Sequence, residues 1–326
     1  MKEEEIRPEK IFDEYLRLAR EDTDTYFGEV ERKNGDCPAC GTKGVPTFVK
    51  YGFAYESCPS CHSLFVNPRP VPEAFSRYYT ESPSSKYWAS TFYKETADAR
   101  REKLWKPKAR LIRDKLAHYG GNHHTIIDIG GGFGLFAEEM RDLNGQTPIV
   151  IEPGPHLAEV CRGKSLLLVE KFLEQVVPAD LPSGPKAFVS FELFEHLHDP
   201  ARFLEQLKHL ITPGDLFIFT TLSSSGVDIK ALWEDSKSVT HPPHHLNFLN
   251  PRAVEILLAR LGLETLEVTT PGKLDIDILV NNQAAIKDRF WQTFVATASD
   301  AEKAQWQNMI ATSGWSSHMM VVCRKS

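Results

Sequence analysis

From Thr125 onward, short runs of β-branched and aromatic residues alternate with stretches whose apolar positions recur at helical spacing. The strand-like runs are 125–129, 148–151, 187–191 and 216–222, followed later by 264–270 and 318–324. Helical stretches at 135–143, 156–161 and 201–211 lie between them. The last places Phe203, Leu204, Leu207, Leu210 and Ile211 on one face, after the start signal Asp199-Pro200. Asn250-Pro251 opens another helix, which Gly262 closes. This alternation predicts an α/β fold: a mostly parallel sheet with helices on both faces.

The first 120 residues read differently. Residues 1–30 are acidic, with Ile11, Phe12, Tyr15, Leu16 and Leu18 spaced for an amphipathic helix. Residues 31–72 are dense in Cys, Pro and Gly, which suits a small, loop-rich, separable module. Residues 73–120 are aromatic and basic and predict a helical linker, or a lid over the domain formed by 121–326. The chain has 326 residues, 41% hydrophobic and 25% charged, with a net charge of −6, so a sizeable core is available. The acidic balance argues against broad nucleic-acid binding and leaves only a local basic cluster, Arg100, Arg101, Lys103, Lys106, Lys108 and Arg110. The charged opening residues and the lack of a long apolar run predict a cytoplasmic protein outside the membrane. The sequence leaves protein partners unidentified.

Cys37-Pro38-Ala39-Cys40 and Cys58-Pro59-Ser60-Cys61 form two C-x₂-C pairs with seventeen residues between them. Two thiolate pairs on tight turns complete a tetrahedron around one ion, so Cys37, Cys40, Cys58 and Cys61 predict a closed, structural zinc site in a zinc-ribbon-like module. A redox pair and a substitution by His62 are the other readings.

The run Asp128-Ile129-Gly130-Gly131-Gly132-Phe133-Gly134 joins the first strand to a helix, where an open α/β sheet binds its ligand. Glycines admit close backbone approach, and the acid favours a ligand bearing a cation or amino group. Glu152, ending the second strand, is placed to accept two ribose hydroxyls. A tight turn with a surface acid is the plainer reading.

With these residues in place, 121–270 resembles a class I S-adenosylmethionine-dependent methyltransferase. The resembling features are Asp128 and the glycines, Glu152, the segment Phe191 to Pro200, and Pro213-Gly214 before the fifth strand, where Asp215 stands in place of the family's second glycine. The resemblance implies a Rossmann-like sheet of seven strands. It assigns Asp128, Gly130, Gly132 and Gly134 to the methionine end of the cofactor and Glu152 to its ribose, with Phe133, Pro153 and Phe191 bordering it. A four-cysteine module before such a core is also similar to zinc-containing methyltransferases of deoxysugar and surface-polysaccharide pathways, and Asn67-Pro68-Arg69-Pro70 fits that group. Its C-methylating members carry a further C-terminal domain, whereas this chain ends some 55 residues after its sixth strand.

Glu192, Glu195 and His196 leave the fourth strand, and His245 follows the fifth. This pattern is similar to metal-dependent O-methyltransferases of quinone biosynthesis and of small-RNA 2′-O-methylation. There it implies a divalent ion, Mg²⁺ or another, on Glu192, Glu195, His196 and His245. His196 or His245 as general base, with Glu195 beside it, is a second reading, and pocket shaping is a third. The expected function is methyl transfer to a small molecule, O-methylation of a sugar or other polyhydroxylated metabolite. A non-catalytic cofactor-binding scaffold recruiting a partner through the zinc module, and an RNA 2′-O-methyltransferase, are the alternatives.

Overall fold

The computed structural model describes residues 2–237 and 239–325. Seven strands form the main sheet: β1 (Thr125–Ile129), β2 (Ile149–Ile151), β3 (Leu167–Val169), β4 (Lys186–Phe191), β5 (Leu216–Leu222), β6 (Leu263–Thr269) and β7 (His318–Lys325). Their order is β3-β2-β1-β4-β5-β7-β6, with β7 antiparallel to both neighbours and the rest parallel. The Rossmann-like sheet that the resemblance implied is present.

Period-two alternation builds two cores from one sheet. Ile127, Ile129, Phe188, Phe217, Phe219 and Val321 face the helices Pro200–Leu210 and Pro251–Arg260. Ile126, Ala187, Val189, Ile218 and Val322 face Lys106–His118 and Leu135–Asn144. All six predicted strands fall within a residue of their expected limits. β3 escapes prediction because it is three residues long, at a sheet edge, with Leu167 more than half exposed. The departure at Asp215 is a turn lock: its carboxylate accepts from the Lys186 and Thr212 amides at 2.7 and 2.8 Å.

The first 120 residues wrap the acceptor edge of this sheet. Helix Glu9–Phe27 is followed by a four-stranded sheet containing Val45–Lys50, Phe53–Ser57 and Leu64–Val66, whose fourth strand, Asn247–Phe248, comes from the main domain. Helices Asp275–Asn281, Arg289–Thr297 and Asp300–Thr312, inserted between β6 and β7, close a further core with Phe27, Phe53, Tyr55, Leu64 and Phe248. The two cysteine turns pack against Leu249, Ala253 and Leu257 in the main core.

The sheet borrows a strand from the main domain and the cysteine turns are buried against its core, contacts that favour unfolding of the expected separable module together with that core. Among the described residues, no helix is long and apolar enough to cross a membrane.

Cys37→Ser should therefore lower the thermal midpoint of the whole chain by several degrees in one transition. A calorimetric trace with a separate, unshifted core transition would contradict that.

Candidate functional site

The strand order reverses at β1, whose neighbours are β2 on one side and β4 on the other. The crevice at this reversal point collects the ends of β1, β2 and β4, and with them the predicted residues. Gly130, Gly132 and Gly134 all have positive φ (70°, 56° and 69°), which explains why the loop is built from glycine. A Cβ on Gly132 would meet nothing within 4 Å, so that residue turns its bare face to open space. Gly131, which the resemblance did not assign, has the opposite constraint. A Cβ there would stand 2.7 Å from both Asp128 Oδ2 and Val150 Cγ1, so only glycine lets the loop close over Asp128.

Glu152 draws the two loops together. Its Oε2 accepts from the Gly132 amide at 3.0 Å and its Oε1 from Gly154 at 2.9 Å. Each oxygen keeps a lone pair for a hydroxyl. Pro153 lies half-buried next to it, and Phe191 ends β4 against Phe136 at 4.6 Å.

The helical lid spans Pro83–Tyr87, Tyr93–Arg100 and Lys106–His118, run together through π turns at Trp88–Phe92 and Arg101–Trp105. An extra residue in a turn rotates everything after it by about 100°. In an unbroken α-helix Trp105 and Lys108 would lie about 120° and 60° round from Tyr93; the second π turn brings both within about 40° of it, alongside Arg100. The ring of Tyr93 stacks on Phe133 at 4.1 Å, and Arg100 lies 5.2 Å from the Tyr93 ring. Three buried polar atoms here have no partner: Arg100 Nε, Trp105 Nε1 and Asp128 Oδ2. Two buried donors and one buried acceptor match the carboxylate and ammonium of an amino acid, which is the methionine end of S-adenosylmethionine. Sequence reading reached the lid, but Trp105 and Lys108 join it only through the π turn.

Burial, with the charge of Glu152 added, pushes Asp128 up to about 7. A cationic ligand would relieve that cost.

The acceptor-side residues divide into two groups. Glu192, at φ 51° in the left-handed region, points its Oε1 at Thr220 Oγ1 (2.7 Å), His318 Nε2 (2.8 Å) and Lys108 Nζ (3.4 Å). Against the opposing effect of burial, His318 and Lys108 hold it well below the usual carboxylate range. Glu195, His196 and His245 form the other group, each offering one ligand atom within 4.8 Å of the others. The sequence expected Glu192 with them. The structure turns it away, toward the Lys108 ammonium and the His318 and Thr220 side chains.

Both imidazoles are oriented from behind. His196 Nδ1 donates to the His244 carbonyl at 3.0 Å and His245 Nδ1 donates to Val239 O, leaving each Nε2 with a free lone pair. Burial holds His196 neutral down to about 4. Glu195 accepts from Thr221 Oγ1 at 2.9 Å, and burial with the nearby Glu192 charge pushes it up to about 8. A carboxylate so placed lacks a cation.

The four cysteine sulfurs also lie within 4.8 Å of one another, with Cys37–Cys61 at 3.5 Å and Cys40–Cys58 at 3.4 Å. A tetrahedral site with Zn–S of about 2.3 Å needs about 3.8 Å between sulfurs, so the donor set fits zinc. The basic run, by contrast, is mostly turned inward or paired, and only Arg110 stands exposed without an ion pair among the described residues. Arg100 and Lys108 turn inward, Arg101 pairs with Glu138 and Glu139, and Lys103 with Glu5.

Residues 97–268 match the family model described as Methyltransferase domain. The ubiquinone biosynthesis O-methyltransferase of Serratia proteamaculans is 26% identical over 104 residues, 30% of this chain and 43% of that protein. Its counterpart in Paraburkholderia phytofirmans is 29% identical over 114 residues, covering 34% and 48%. The chain thus spans less than half the length of these curated relatives. Among solved structures, the plantazolicin methyltransferase BpumL in complex with SAH aligns at 11% identity and a TM-score of 0.47, over 77% of this chain and 94% of that one. A putative sarcosine dimethylglycine methyltransferase from Galdieria sulphuraria aligns at 15% and 0.45, over 68% and 86%.

Asp128 gives the cofactor site a pH signature. Below about 7 its proton must leave before an ammonium can bind, so affinity for S-adenosylhomocysteine should fall about tenfold per pH unit in that range and level off above it. Calorimetry across pH 5–9 measures this. Asp128→Asn should bind weakly with no such slope; a slope retained in that variant would assign the proton elsewhere.

Proposed function

This chain belongs to the methyltransferase domain family and is an S-adenosylmethionine-dependent methyltransferase; on that footing we propose that it O-methylates a small polyhydroxylated acceptor, a sugar or related metabolite, with help from a divalent ion. The observation that carries the reading is the Glu195–His196–His245 cluster at the end of β4, beside the cofactor loop. Two imidazoles and one carboxylate leave positions open, as catalytic ion sites do and closed structural sites do not. The names of the curated relatives, which are O-methyltransferases, support the oxygen acceptor.

In this reading each group has a defined task. Asp128, Arg100 and Trp105 hold the methionine end, Glu152 holds the ribose, and Phe133, Pro153 and Phe191 border the remainder. An ion bound at the cluster would chelate neighbouring hydroxyls and lower the pKa of the one that reacts. The acceptor oxygen attacks the methyl carbon in line, the carbon–sulfur bond breaks toward sulfur, and the hydroxyl proton passes to solvent or a nearby base. Most of the rate then comes from holding oxygen and methyl together. Lys108 and His318 keep Glu192 ionised, and its charge favours the cationic sulfonium side of the crevice.

A general-base role suits His196 poorly, since an imidazole held neutral down to about 4 takes up a proton weakly near neutral pH. RNA methylation draws little support from the basic run, since Arg100 and Lys108 turn inward and Arg101, Lys103 and Lys106 pair with glutamates, which leaves Arg110 alone exposed without a pair among the described residues. The zinc module belongs to the same reading as a structural element. It supplies no open coordination position.

A mild chelator should abolish methyl transfer to a panel of sugar nucleotides and catechols while the Cys₄ zinc stays bound. Mn²⁺ or Mg²⁺ should restore it. Glu195→Ala and His245→Ala should each lose about 10²–10³-fold in rate with S-adenosylhomocysteine affinity kept. Turnover indifferent to chelation would remove the ion from the mechanism.

A further inference from the structure

The backbone of the Cys₄ module is hydrogen-bonded directly to the segments that carry the Glu195–His196–His245 cluster. Two knuckles begin the path. Cys37 and Cys58 donate their amides to Thr42 O and Ser63 O, and Gly41 and His62 follow the second cysteine of each pair at φ 73° and 62°. The second knuckle runs straight into Leu64–Val66, which pairs with Asn247–Phe248, two residues beyond His245.

Three links then reach the cluster. Val66 N donates to Leu246 O at 3.0 Å, and Leu246 N donates to Glu195 O at 2.8 Å, so one residue, Leu246, connects the module strand to the Glu195 turn. The fully buried Tyr55 donates its hydroxyl to His245 O at 2.9 Å. The guanidinium of Arg69 spans both sides: Nε donates to Val66 O at 3.1 Å, Nη2 to Asn247 Oδ1 at 2.6 Å, and Nη1 to His198 O, two residues after His196. Asn247 continues the link by donating to Leu197 O at 2.7 Å. Asn250 ties the knuckle itself, donating to Cys61 O at 2.7 Å while capping the helix that begins at Pro251.

We infer that the Cys₄ module is a positioning element for the acceptor site, with Tyr55 and Arg69 setting the separation of His245 from the Glu195–His196 turn. Neither residue touches the reacting atoms. They act on main-chain carbonyls, and those main chains carry the imidazoles and the carboxylate. The inference rests on the ion reading above for its chemical consequence, and on the hydrogen-bond path alone for its mechanical one.

The two are separable in the zinc-loaded full-length protein. Mn²⁺ is the probe, because a hard ion does not compete for a thiolate cage. Its binding is followed by electron paramagnetic resonance, and amide exchange over residues 239–248 is followed by mass spectrometry. Tyr55→Phe and Arg69→Met should weaken Mn²⁺ by about 10-fold or more, the usual effect of losing an outer support of a metal ligand. Exchange in the loop should quicken, with zinc content and S-adenosylhomocysteine affinity unchanged, and Arg69→Lys should recover part of the loss. Variants that exchange and bind Mn²⁺ like the wild type would overturn the inference. A wild type that binds no Mn²⁺ while the variants still loosen the loop would overturn the ion reading and leave the positioning role standing.

Discussion

Four carboxylates crowd the C-terminal edge of β1, β2 and β4, three of them buried and Glu192 partly open to solvent. Desolvation disfavours their charged forms, and each resolves the cost differently. Glu192 is held ionised by Lys108 and His318, and Glu152 takes two backbone amides. Asp128 and Glu195 share only the Lys108 ammonium that Glu192 already holds, and both are pushed up, to about 7 and about 8. A methyl donor carrying an ammonium and a sulfonium supplies one missing charge, and a divalent ion would supply the other. The site is electrostatically incomplete until its ligands arrive.

That incompleteness also weighs against a scaffold that only binds cofactor. Such a protein would need Asp128, Glu152 and the glycine loop. It would not need two histidines turned by main-chain carbonyls so that both Nε2 atoms face one carboxylate. The resemblance to ion-using O-methyltransferases pointed to four ligands, and the geometry gathers three. Lys108 is the reason, since a resident ammonium takes the place at Glu192 that an ion would otherwise fill.

What was legible in the chain follows the range of the interactions involved. Strand ends, the glycine loop and Glu152 could be read because each depends on neighbours within a few residues. The cysteine pairs could be read because two short turns define them. The partner of Glu192 could not: Lys108 lies 84 positions away and reaches it only through a rotated helix. The shared strand Asn247–Phe248 is two residues long, too short to leave a pattern. Gly131 was visible as a glycine, but its necessity comes from Asp128 and Val150 folding beneath it. The helices between β6 and β7 bury their apolar faces against the N-terminal segments, so their role depends on contacts more than two hundred residues apart.

The π turn at Arg101–Trp105 makes the number of residues in the lid helix matter as much as their identity. A side-chain change there alters one contact. Removing a single residue would relax the turn to ordinary α geometry, with no loss of helix, and swing Trp105 and Lys108 together off the crevice by about 100°. Asp128 would lose a nearby ammonium and Glu192 its buried counter-ion in one step. Relatives sharing this lid can therefore vary its surface freely, but insertions and deletions between Tyr93 and Lys108 should be tolerated only when they cancel.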